Sequence, residues 1–401
     1  MQKIKSLIVL SLVLFTFQAC LQNTQQPKDV PVNNLITGAE QTEAYLSLLA
    51  GKKIAVVANH SSMLGDTHLA DTLLSLNADI VKVFAPEHGF RGLADAGEYV
   101  EDGRDVRSGL PVISLYGSTR KPSHESLEDI DLILFDLQDV GARFYTYIYT
   151  LTYIMEVAAE LHIPVIVLDR PNPNGFYIDG PVLEEEYASF VGLHPVPIVY
   201  GMTIGEYGKM VNGEHWLANG LQCDLTVIPL KNYDRNKLYK LPVKPSPNLP
   251  TWQSVYLYPS LCLFEGTVVS IGRGTETPFT IYGHPDFYAG SYAFTPESRP
   301  GAKYPKLEGV QCNGQNLSGY AENYMEVNDH LNLQWLISAY KDIGNDSTFF
   351  IPYFEKLSGT GKLRMQIMAG MTPVDIRSGW QDDLEKFKNL RKKYLIYEDF
   401  E

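Results

Sequence analysis

Ile80-Val81-Lys82-Val83-Phe84-Ala85-Pro86-Glu87-His88-Gly89-Phe90-Arg91-Gly92 is a mainly apolar run that stops at a proline and hands over to a carboxylate, an imidazole, a glycine and a guanidinium. The run reads as a buried strand and the polar residues as the loop beyond its C-terminal end. In open α/β sheets, ligands sit in the crevice outside those strand ends. Glu87 and His88 are therefore a candidate acid/base couple, and Arg91 a candidate binding residue.

The same pattern recurs on both sides of it. Lys53-Ile54-Ala55-Val56-Val57-Ala58, Val112-Ile113-Ser114-Leu115-Tyr116, Leu132-Ile133-Leu134-Phe135-Asp136 and Pro164-Val165-Ile166-Val167-Leu168 read as further buried strands. Helical stretches separate them: one marked by Leu69, Leu73, Leu74 and Leu76, a short one from about His124, and a long one from Tyr147 to His162. Near-continuous apolar strands alternating with helices predict a doubly wound, Rossmann-like parallel sheet covered on both faces. The polar residues after these strands then share one edge: Asn59 and His60, Glu87 and His88, Gln138, Asp139, Arg143 and Tyr145, then Asp169, Arg170 and Asn172. Capping the next helix or tying a loop is the competing role for Asp136 and Asp169.

Val196-Pro197-Ile198-Val199-Tyr200 reads as the closing strand of this half, followed by a helix whose start, Thr203-Ile204-Gly205-Glu206, is a capping box. Asp224-Leu225-Thr226-Val227-Ile228-Pro229-Leu230 reads as the opening of a second, smaller α+β domain. The expected division is a signal peptide at 1–20, a tether at 21–34, a catalytic domain at 35–221 and a cleft-completing domain at 222–401. Helices are expected from Asn332 to Lys341 and from Gln381 to Tyr394.

The first residues carry an export signal. Lys3 and Lys5 precede an apolar core, Ser6 to Phe17, too short for a permanent span, and Phe17-Gln18-Ala19-Cys20 resembles a lipobox with Cys20 as the acylated residue. The Gln-, Asn- and Pro-rich stretch after it suits a tether. The expectation is an exported, periplasmic lipoprotein that meets the membrane only through its anchor. Cys223, Cys262 and Cys312 are an odd set at spacings that fit no zinc pattern, and no chemistry is assigned to them.

A formal net charge of −14 makes nucleic acid and anionic membrane surfaces poor partners, so an anionic substrate must be held by local arginines. The 25 tyrosines suit a cleft for sugar rings, which offer apolar faces and hydroxyl edges. No G-x-G-x-x-G follows the first strand, and there is no Walker A motif, G-x-S-x-G elbow or H-E-x-x-H helix. No cofactor and no metal are expected. Two other classes use the same crevice: a metal-dependent hydrolase drawing on His60, Glu87, His88, Asp139 and Asp169, and a tethered, non-catalytic sugar binder.

Ala85-Pro86-Glu87-His88-Gly89-Phe90-Arg91-Gly92, the run from Asp136 to Tyr147, Leu168-Asp169-Arg170-Pro171-Asn172-Pro173, Pro245-Ser246-Pro247-Asn248, Cys262-Leu263-Phe264-Glu265-Gly266-Thr267 and Gly272-Arg273-Gly274-Thr275 together resemble the NamZ family of exo-β-N-acetylmuramidases. The likeness runs from about residue 35 to the C-terminus. It implies a Rossmann-like domain carrying the active site, a smaller domain closing over it, and release of N-acetylmuramic acid from the non-reducing ends of peptidoglycan fragments. It also implies that Glu87, in the Pro-Glu-His-Gly motif, is the catalytic residue, and it adds Glu265 and Arg273 to the binding set. Glycosidic cleavage needs an acid at the leaving oxygen and a group that stabilises the oxocarbenium-like carbon. Glu87 is the expected acid, with His88 and Arg91 turned elsewhere; Asp139, Asp169 or the substrate's own 2-acetamido group serves the carbon. The lactyl carboxylate of muramic acid calls for Arg143, Arg170 or Arg273, of which Arg143 is favoured for its place beside Gln138 and Asp139.

Overall fold

The computed structural model describes residues 35–87, 89–91, 103–117, 120–324, 329–344 and 347–401. The signal peptide, Cys20, the tether and His88 lie outside the described residues. Seven strands form the large sheet: β1 (Ile54–Ala58), β2 (Ile80–Ala85), β3 (Gly103–Arg104), β4 (Pro111–Ser114), β5 (Leu132–Asp136), β6 (Val165–Leu168) and β7 (Leu225–Ile228). Their order is β3-β4-β2-β1-β5-β6-β7, all parallel except the short β3, which runs antiparallel to β4. Counting the six parallel strands alone, the order is 3-2-1-4-5-6, the Rossmann winding, with its switch point between β1 and β5.

Alternation along the strands feeds two cores. Ile54, Val56 and Ala58 of β1 pack with Leu69 and Leu73 of α2 (Leu69–Ser75), on the face that also receives Tyr45 and Leu49 of α1 (Thr42–Leu49). Ala55 and Val57 point the other way, into a larger core shared with α3 (Tyr147–Leu161) and α4 (Ile204–Gly213). Burial on both faces is why these strands read as unbroken apolar runs.

Two expectations change. β7 continues the sheet by pairing with β6 from Val165↔Leu225 to Leu168↔Ile228, so the segment expected to open a second domain is the last strand of the first, and the sheet extends past residue 221. The run Val196–Tyr200 is not a strand: Val199 makes isolated bridges to Ala142 and Asp179 and lies across the loops instead. The capping box at Thr203 is present, with Thr203 Oγ1 on the Glu206 amide and Glu206 on the Thr203 amide.

The rest of the chain is α+β. A three-stranded antiparallel sheet, β8 (Ile281–His284), β9 (Tyr292–Phe294) and β10 (Cys312–Asn316), has β10 in the middle, and α5 (Trp252–Leu261) precedes it. Short helices follow, ending in α6 (Gln381–Arg391). The larger core runs without a break from α3 through Tyr256, Phe264 and Phe279 to Trp380 and Phe387, so residues 35–401 make one compact unit. The last residues return to the parallel sheet's side. Tyr397 donates to Asp169 at 2.6 Å and accepts from the Leu230 amide, while buried Arg235 joins Glu206 to the Glu398 carbonyl. Cys223, Cys262 and Cys312 are buried free thiols.

Candidate active site

Glu87 is the second residue past β2 and is half-buried at the wall of a small cavity. Both halves of the chain build this cavity: Phe144 and Tyr145 come from the loop after β5, Tyr147 from the start of α3, and Asn248, Tyr258 and Arg273 from the second half. Tyr116, just beyond β4, lies beside Glu87, and burial together with that carboxylate raises the tyrosine's pKa. Tyr147 donates to the Glu87 carbonyl at 3.4 Å and receives Asn59 Nδ2 at 2.7 Å. Asn59 in turn accepts from the amide and hydroxyl of Ser61, so it supports Tyr147 from behind. Three strand ends, β1, β2 and β4, thus converge on Glu87.

The wall opposite is aromatic. Tyr145 packs edge-on against Tyr147 at 4.9 Å and Tyr258 at 5.9 Å, and Tyr258 meets Phe279 at 4.9 Å. Tyr145 is fixed by its bond to the Pro245 carbonyl at 2.8 Å, and His60 Nε2 sits 2.8 Å from the Lys244 carbonyl. These two contacts join the strand-end loops to the Lys244–Asn248 segment. Arg273 lines the cavity, its Nε 2.7 Å from Glu265, whose other oxygen accepts from Cys262 at 3.6 Å.

Among the described residues, the other expected ones do not line the cavity. Arg143 is fully buried and spends its guanidinium on four carbonyls, those of Pro181, Val196, Leu357 and Ser358, at 2.7–3.0 Å. Burial pushes its pKa down to about 10. It is a framework residue and not the lactyl partner, because no face of it is open. Arg170 makes a buried two-point pair with Asp136, at 2.5 and 2.8 Å, and Arg91 is tied to Asp105 and Asp71. Asp169 caps α4, accepting from the Gly205 amide and from Thr203 and Tyr397, and burial raises its pKa to about 6.

Asp139 likewise points inward. Its Oδ2 accepts from Tyr200 and from the Gly141 amide, its Oδ1 is buried without a hydrogen bond, and burial raises its pKa to about 6. Gln138 bridges the Asp139 and Pro171 carbonyls, and Asn172 bonds the Met202 carbonyl. Gly141 sits at φ +78°, and a Cβ there would come within 2.1 Å of the Asn172 side chain, so the Asp139-Val140-Gly141 turn needs glycine to close against the next strand's loop. These are brackets that make the strand-end loops rigid. As for metal ligands, Asp139 and Asp169 sit in separate networks, and among the described residues no three His, Cys, Asp or Glu side chains gather to hold an ion.

Sequence reasoning missed Tyr116 and Tyr258. Tyr116 was counted inside its strand, which ends at Ser114; applying the strand-end rule two residues earlier finds it. Tyr258 lies on α5 and carries no such signal.

Two family models match the chain: "Exo-beta-N-acetylmuramidase NamZ, N-terminal" over residues 54–253 and its C-terminal partner over residues 256–397. Their join falls after β7, where the parallel sheet is complete. A Bacillus subtilis (strain 168) relative, a peptidoglycan β-N-acetylmuramidase NamZ, is 40% identical over 374 residues, covering 88% of this chain and 89% of its own. Two DUF1343 family crystal structures from Bacteroides fragilis NCTC 9343 share the fold. One has a TM-score of 0.85 at 47% identity, covering 91% of this chain and 99% of its own. The other has a TM-score of 0.75 at 29% identity, covering 92% and 100%. The Rossmann winding, the cavity built by both halves and these matches across both of them place the chain in the NamZ family of exo-β-N-acetylmuramidases.

Proposed function

We propose that this protein releases N-acetylmuramic acid from the non-reducing ends of peptidoglycan fragments, with Glu87 as the general acid. The observation that carries the assignment of Glu87 is its position. It is a carboxylate at a strand end beside the switch point, with Tyr116 next to it, lining a cavity with an aromatic wall. Tyr145 and Tyr258 offer ring surface for the apolar face of a sugar, and Asn248 an amide for its hydroxyls. Protonation of the leaving oxygen by Glu87 starts bond cleavage. With Asp139 and Asp169 committed to the interior and Glu265 held by Arg273 and Cys262, the group that meets the anomeric carbon in this reading is the substrate's own 2-acetamido carbonyl.

A chromogenic β-glycoside of N-acetylmuramic acid tests this directly. The expected result is hydrolysis that persists in excess EDTA, with the glycan-derived product identified as free N-acetylmuramic acid. Loss of activity with the chelator, restored by a divalent cation, would transfer the site to the metal-hydrolase class; no hydrolysis would leave only sugar binding.

The protein acts, in this reading, in the periplasm as a lipoprotein held by Cys20, with residues 21–34 as the tether. The support is the charged, apolar and Ala-Cys order of the first twenty residues. Metabolic labelling with a palmitate analogue should mark the wild type and not Cys20→Ala. An unlabelled wild type in the soluble periplasmic fraction would rule the anchor out.

A further inference from the structure

Arg143, Arg170 and Arg91 are all committed elsewhere, which leaves an unanswered question in an acidic protein: what receives an anionic sugar? We infer that Arg273 is the carboxylate receptor of the cleft and selects the lactyl acid of muramic acid over sugars that lack it. The inference rests on the muramidase reading for the identity of the anion.

Three observations carry it. First, Arg273 lines the same cavity as Glu87 and its side chain is 26% exposed, whereas those of Arg143 and Arg170 are at 0% and 6%. Second, its orientation is preset. Nε is held by Glu265 at 2.7 Å and the guanidinium carbon lies 5.1 Å from the centre of the Phe279 ring, another wall residue, while the two Nη groups make no hydrogen bond to the described residues. The end-on fork is therefore open, and that is the edge a carboxylate engages through two parallel N–H···O bonds. Third, Glu265 does not cancel the charge of this corner. The Lys306 ammonium is anchored beneath it on the Phe264, Glu265 and Thr267 carbonyls, so two cations stand beside one carboxylate. With Glu87 protonated as the acid, these two cations outnumber the one remaining carboxylate and favour an anion at this point, within a chain of net charge −14.

The geometry also orders the substrate. With the lactyl acid on Arg273 and the ring against Tyr145 and Tyr258, Glu87 is left for the glycosidic oxygen. Arg273 acts on binding and orientation and carries no proton.

The test compares the chromogenic N-acetylmuramic acid glycoside with its lactyl methyl ester, the same molecule without the negative charge. Wild type should favour the acid. Arg273→Ala should lower kcat/KM on the acid by about 10²-fold or more, while changing the ester by less than about 10-fold. Arg273→Lys, which keeps the charge and loses the fork, should fall between, and it serves as the reading should the Ala variant fail to fold. Affinity for free N-acetylmuramic acid, measured by calorimetry, should drop in the same order. Equal losses on acid and ester, an unchanged preference in the variants, or a wild type indifferent to the ester would each overturn the proposal while leaving the glycosidase reading intact. A wild type that hydrolyses neither glycoside would overturn both.

Discussion

Replacing Glu87 with Gln should lower kcat on a muramic acid disaccharide by about 10²–10⁴-fold, the range that general acid catalysis supplies. The amide keeps the shape of the carboxyl, so the cavity and the fold should persist, with an unchanged urea midpoint. What is lost is the proton. The loss should depend on the leaving group: a nitrophenolate departs without much help, whereas a sugar alcohol cannot. The Gln variant should therefore be impaired far more on the disaccharide than on the nitrophenyl glycoside. KM should change little, because the deleted function belongs to the transition state. A folded variant that cleaves the disaccharide at near wild-type rate removes Glu87 from the reaction.

The same physics explains which parts of the molecule were legible in the sequence. Strands buried on both faces are apolar nearly throughout, so β1, β2, β5 and β6 stand out at nearly their observed limits, with Lys82 of β2 and Asp136 of β5 the exceptions, each in an ion pair. β7 has the same appearance, but nothing in Leu225–Ile228 says which sheet it will join; that depends on α4 carrying the chain back over the core. Val196–Tyr200 fails for the opposite reason. Its apolar residues are buried in the larger core as a strand's would be, yet only Val199 makes ladder-like bridges.

The site was legible as a location and less so as a list. A strand-end loop next to a cleft is itself buried, and its backbone groups and turns must find partners away from water. Gln138, Arg143, Asp169 and Asn172 meet that demand, so the same polar residue types that suggest chemistry are consumed in holding the loops. Sequence shows polarity at an edge; only the rotation of each side chain separates Glu87, which faces the cavity, from Asp139, which faces Tyr200. Arg273 was one of three candidate arginines in the sequence, with Arg143 favoured over it, and is distinguished by its place on the cavity wall and its exposure.

Arg143→Ala should cost about 3–5 kcal/mol of stability, enough to leave little folded protein, and it should do so without any special effect on muramic acid recognition. The guanidinium is fully buried and ties three separated segments, through the carbonyls of Pro181, of Val196, and of Leu357 and Ser358 at the end of a short helix. Removing it strands four acceptors away from water, each worth about 1–3 kcal/mol if left unmet, and the vacated volume is polar enough to admit waters that recover part of the loss. The packing is close: Gly359, at φ +74°, would place a Cβ within 2.4 Å of Arg143 Nη2, so the chain turns against the guanidinium itself. Arg143→Lys should recover only a fraction, because three donors on one nitrogen cannot span carbonyls that the planar fork reaches on two sides. Urea unfolding gives the stability, and kcat/KM on the acid and ester glycosides, taken on whatever folds, gives the recognition. The expected pattern is a large drop in midpoint with the acid-to-ester ratio unchanged. An Arg143→Ala protein of wild-type stability that had lost its preference for the acid would instead make Arg143 the lactyl partner, and would require its side chain to leave the four carbonyls it now holds.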